Sequence, residues 1–174
     1  MGDMTELLGV DSKGALRFFF KSLIDERLPV KATKEETLYV ASILAHYAMT
    51  SNGGSGDITL PSSLSEIYDR FVLDGYRTRG RLGFTDPEIL EMAGSQALLL
   101  CGFFRNQVSG ERNIAHYDKL GRFFYGKAGF CSKEVKKRQL LRQISHNFCD
   151  WTNTCMRMSQ TCRDSYYLLN KPRF

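Results

Sequence analysis

The segment ALLLCGFFRNQVSGERNIAHYDKLGRFFYG, residues 97–126, decides the fold of this chain. Its first eight residues, through Phe104, are apolar on every side, so no secondary structure built from them turns one face to water. They predict a buried central element. A polar stretch over 105–113 leads to a second segment in which Tyr117, Gly121, Phe124, Tyr125 and Ala128 recur at three- and four-residue steps, the spacing of one helix face. Gly102 and Gly121 lie inside these patterns, where glycine costs about 1 kcal/mol relative to alanine; each is expected to mark the close approach of another backbone.

GFF, a short basic loop and HYDKLGRFFY together resemble the GFF…YxxxGxxxY signature of a family of uncharacterised bacterial all-helical proteins. Gly102, Phe103, Phe104, Tyr117, Gly121 and Tyr125 carry the likeness, with Arg105 where that pattern has a proline and Phe124 where it has a small residue. The resemblance runs from about Leu38 to the C-terminal helix. It implies a helical fold and brings no activity, cofactor or catalytic residue.

Toward the N-terminus, Asp86 and Pro87 open the helix that carries the apolar run, expected over 87–104, since proline suits the first helical position and the residue before it avoids helical angles. Arg77, Arg79 and Arg81 form a basic loop ahead of it. Ser63 and Glu66 stand at capping-box spacing before Leu64, Ile67, Tyr68, Phe71 and Val72, a further helix. Residues 52–56, NGGSG, make a flexible connection. Thr33 and Glu36 repeat the capping spacing ahead of Leu38, Val40, Ala41, Leu44, Ala45 and Ala48, which predicts a helix over 34–49. Asp11 or Ser12 caps a first helix with Leu16, Phe19, Phe20, Leu23 and Ile24 on its apolar side, ended by Pro29.

Toward the C-terminus, a helix over 114–127 is followed by Ser132, the expected cap of a last helix that meets no breaker before Lys171 and Pro172. Leu141, Phe148, Cys155, Cys162 and Leu169 recur in sevens on it, with Ile144, Trp151, Met158 and Ser165 at the offset of three. As one straight rod from 133 to 170 it would be about 57 Å long, beyond the diameter of a domain this size. It must kink or bury its far end elsewhere, and packing of 156–169 across a twofold homodimer is the expected solution. The whole reads as an all-α fold, a single domain over 1–174 of about six helices around a buried central helix, with a long C-terminal helix.

Composition excludes several classes. The chain is 25% charged and 43% hydrophobic, and no apolar run approaches the roughly 20 residues that cross a bilayer. Phe18 to Phe20 are followed at once by Lys21, unlike a secretory signal. With neither segment the protein is expected to be cytoplasmic, and five cysteines, an odd number without a C-x-x-C pair, argue against a disulfide framework.

No arrangement identifies an activity. His46, His116 and His146 lack the tight grouping of metal ligands, and no metal or other cofactor is expected. Cys101 and His116 are the one conceivable nucleophile and base, without a local catalytic signature around them. Tyr117 and Tyr125 lie two turns apart with Arg122 between, either half-buried phenols bonded to neighbouring helices or the wall of a small-ligand pocket. Residues 1–60 hold six Lys/Arg against eight Asp/Glu, and residues 101–174 hold 14 against five, so the C-terminal half is basic. Lys133, Lys136, Lys137, Arg138 and Arg142 are its densest cluster, a solvated face or an anion site. Single-strand nucleic-acid binders interleave such charges with exposed aromatics, whereas Phe148 and Trp151 here follow the apolar stripe. The reading is a non-enzymatic binding or protein-interaction module; the alternatives are an anion- or nucleic-acid-binding regulator using the basic half and an enzyme with an interhelical Tyr/Arg/His pocket.

Overall fold

A computed structural model describes residues 12–26, 28–29, 31–52, 86–105 and 111–161. The helix expected from Ser63, the arginine loop and residues 162–174 lie outside them. Six helices make up the described residues: α1 (Ser12–Asp25), α2 (Lys34–Asn52), α3 (Pro87–Cys101), α4 (Glu111–Cys131), α5 (Val135–His146) and α6 (Phe148–Thr161), with no strand among them. None of them is long and apolar enough to cross a membrane.

The fold is all-α, as expected. Helix α1 packs on α2, α3 on α4 and α4 on α5, while α6 reaches α1, α3 and α4 and ties these pairs together. Helix α3 is the central one: Leu90, Ala93, Gly94 and every residue from 96 to 104 are buried. Asp86 caps it, its carboxylate accepting from the Glu88 N–H at 3.0 Å, and Pro87 takes the first position. The helix ends at Cys101, three residues earlier than expected, and Gly102 to Phe104 turn instead. A Cβ on Gly102 would meet the Cys155 Cβ at 2.8 Å and the Thr152 Cα at 3.3 Å, so α6 crosses the end of α3 where only glycine leaves room. Gly121 also marks a close approach, but by a side chain: a Cβ there would meet the Phe148 ring, Cε2 at 2.6 Å.

The capping box at the start of α2 is present, with the Thr33 N–H donating to Glu36 Oε2 at 2.8 Å and the Glu36 N–H to Thr33 Oγ1 at 3.2 Å. Val40, Ala41, Leu44, Ala45 and Ala48 face the core, whereas Leu38 is exposed, as is Ile24 on α1. Both sit at the margin of a stripe whose other members already fill the interface.

One expectation about the last third of the chain needs correction. Ser132 does not cap a helix start; its N–H closes the last turn of α4 on the Ala128 carbonyl, and Glu134 holds the N-cap position of α5. The last helix, expected to kink or to bury its far end elsewhere, is divided at Asn147, one non-helical residue between α5 and α6. Leu141, Ile144, Phe148, Trp151, Cys155 and Met158 are all buried, so the heptad seam, as far as it is described, packs inside this chain. Each of the five large side chains among them contributes about 1.5–3 kcal/mol, and with Cys155 they bind α5 and α6 to the bundle.

Candidate functional site

Where α2, α3, α4 and α5 meet, their polar side chains converge. Tyr39 of α2 donates to Glu91 Oε1 at 2.9 Å, and Lys137 of α5 reaches Glu91 Oε2 at 2.8 Å. One turn along α3, Ser95 donates to the Glu91 carbonyl at 2.9 Å and shares a 2.9 Å hydrogen bond with the Tyr125 hydroxyl of α4. The Tyr39 and Tyr125 rings meet edge-on, 6.1 Å between centroids. Gly94 makes this possible, since its missing side chain is the seat of the Tyr125 ring, whose carbons lie 3.0–3.1 Å from where a Cβ would stand.

The electrostatics follow from that enclosure. Burial, then the neighbouring Tyr125 and Glu91, push the Tyr39 phenol far above its ordinary range, and burial raises Tyr125 as well. The hydrogen bond to Glu91 raises the Lys137 ammonium against the smaller opposing effect of its partial burial. Both phenols therefore stay protonated at any physiological pH, and the lysine stays charged. The Glu91 carboxylate already has one partner on each oxygen, and Ser95 and Tyr125 satisfy each other. A cluster closed in this way holds four helices in register; it offers a substrate no unengaged acid or base.

The expected Tyr117, Arg122 and Tyr125 set is not brought together. Tyr117 and Tyr125 are buried, while Arg122 points to solvent and pairs with Asp118 at 3.1 Å. Buried aromatics two turns apart belong to the core face; Arg122, three residues before Tyr125, falls on the outer edge. The basic cluster is likewise divided. Lys133, Lys136, Arg138 and Arg142 are exposed. Lys137 is held by Glu91, and Arg138 places Nε and Nη2 on the Ser132 carbonyl at 3.1 and 2.9 Å, a cation at the C-terminal end of α4 where the helix dipole favours it.

Cys101 and His116 do not form a dyad. The Cys101 thiol is buried, points at the Ile114 carbonyl at 3.9 Å and is raised by burial and by Asp118, while His116 is exposed. Burial pushes Cys155 up to about 12. Such thiols are poor nucleophiles. Among the described residues no three His, Cys, Asp or Glu side chains gather as metal ligands.

Tyr39, Glu91 and Ser95 carry no signal in sequence reading beyond Gly94 and Ser95, a small pair in an apolar helix. A second set had a readable signal. His116, Lys119, Phe123, Lys127 and Phe130 recur at three- and four-residue steps opposite the core stripe; Phe130 is 79% exposed, Phe123 46%, and His116 and Lys119 are exposed too. The Lys127 ammonium lies 5.6 Å from the Phe130 ring centre.

Compared with protein-family models, curated proteins and solved structures, the chain matches none.

Proposed function

We propose that this chain is a non-enzymatic helical binding module and that its partner is anionic. The observation that supports the reading most is the direction in which its side chains face. The candidate reactive groups, Cys101, Tyr117 and Tyr125, are enclosed in the core, whereas Lys119, Lys133, Lys136 and Arg142 are presented to solvent in the basic half. Binding to heparin tests it. The parent should bind at low salt with an affinity that falls linearly with salt on logarithmic axes. Lys133→Glu with Lys136→Glu should weaken that binding more than Lys21→Glu with Lys31→Glu, which changes net charge equally at exposed positions of the N-terminal part. Equal losses, or no binding by the parent, reject the reading.

A second reading, a homodimer, keeps some support. The seam through Met158 is occupied within the chain, so what favours a second copy is its continuation in Cys162 and Leu169, outside the described residues. Light scattering at micromolar concentration tests it, and a monomer of about the chain's 19.9 kDa mass rejects it. A cytoplasmic site is part of the proposal, supported by Cys101, Cys131, Cys149 and Cys155 being free thiols. So is membership of the bacterial family with the GFF…YxxxGxxxY signature, whose six matching residues are all buried here.

A further inference from the structure

We infer that the outer face of α4 is a contact surface for single-stranded nucleic acid, with Phe123 and Phe130 as stacking platforms and Lys119 and Lys127 as phosphate contacts. The inference rests on the anionic-partner reading and names the partner. His116, Lys119, Phe123, Lys127 and Phe130 fall within about 80° of arc at 3.6 residues per turn, so they share one strip of surface. The strip contains no acidic residue; the nearest on the helix, Asp118, is turned toward Arg122.

The combination of groups identifies the occupant. A simple polyanion needs cations alone, and two large aromatic rings partly exposed beside them add nothing to its binding. A single strand offers unstacked bases as well as phosphates, and base on aromatic ring is the contact that such rings make favourably. Phe123 and Phe130 are seven residues apart, about 10.5 Å along the axis, with Lys127 between them. Bases seated on the rings would therefore have a phosphate passing a lysine. Beyond the helix end, Lys133 and Lys136 are exposed as well, with one carboxylate, Glu134, between them. A membrane surface would require a continuous apolar stripe, whereas here every ring is followed or preceded by a charge.

The test uses the full chain and fluorescence anisotropy of labelled oligo(dT) and labelled heparin, with vesicles of phosphatidylcholine and phosphatidylserine as a third probe. Phe123→Ala with Phe130→Ala should keep the parent's circular dichroism, since both rings are exposed, lose about fivefold or more in oligo(dT) affinity per ring, and keep its heparin affinity. Lys119→Glu with Lys127→Glu should lose both and flatten the salt dependence. If the phenylalanine variant binds oligo(dT) like the parent while heparin is bound, the stacking inference is overturned and the anionic reading stands. Failure of the parent to bind either polymer at low salt overturns both. Vesicle binding that the phenylalanine variant loses, with oligo(dT) unaffected, reassigns the face to a membrane.

Discussion

Glu36 and Asn147 are joined across 111 positions of sequence: the Asn147 side-chain amide donates to Glu36 Oε1 at 2.9 Å, at the one residue where α5 gives way to α6. The same carboxylate holds the Thr33 N–H on its other oxygen, and the Trp151 indole lies 3.5 Å from Oε1. A capping residue of α2 thus ties that helix to the junction of the C-terminal helices. Glu36→Ala strands one buried and two partly buried donors and removes the cap, and should destabilise by about 2–4 kcal/mol. Urea unfolding followed by Trp151 fluorescence measures it; a loss below about 1 kcal/mol would show the contact to be incidental.

Gly121 lies under the Phe148 ring with no room for a methyl group. Gly121→Leu should cost about 1–3 kcal/mol or more by forcing α4 away from α6, and Gly121→Ala part of that. The melting temperature reports both, and an unchanged value for the leucine variant would contradict the packing described.

The closed cluster around Glu91 predicts graded effects. Tyr125→Phe removes one hydrogen bond and should cost about 0.5–1.5 kcal/mol, because Ser95 retains the Glu91 carbonyl. Lys137→Glu sets a carboxylate beside Glu91 and should cost about 1 kcal/mol, screened because the lysine is partly exposed. Lys136→Glu, one residue away and exposed, should stay within about 0.5 kcal/mol of the parent. Equal effects at 136 and 137 would refute the ion pair.

Alkaline pH should destabilise this protein in two stages. Cys101, Cys155, Tyr39, Tyr125 and Lys137 all bind their protons more tightly folded than unfolded, so each contributes stability that is complete below its unfolded pKa and lost as pH rises. The decline should begin near about pH 8.5, where unfolded thiols ionise, and steepen above about pH 10 as tyrosine and lysine follow. Melting temperatures from pH 7 to 11 check this, and Cys155→Ala should weaken the first stage. A flat profile to pH 10 would argue that the thiols are reached by solvent.

The local rules of the chain could be read without the fold. The run from Ala97 to Phe104 has no polar side, so burial at the centre followed from composition alone, and the Thr33–Glu36 and Asp86–Pro87 starts followed from groups within four residues of one another. Helix stripes were legible for the same reason, their period being a property of the backbone. What only tertiary structure decided depends on partners distant in sequence. Asn147 interrupts a helix that local pattern would continue, at the point where its side chain donates to Glu36 from a distant helix. Glu91 is a surface residue by type, and only the arrival of Tyr39 and Lys137 from two other helices encloses it. The basic cluster read as one patch because charge is counted along the chain, but helix geometry turns Lys137 and Arg138 to their own contacts and leaves the aromatic and basic strip of α4 outside.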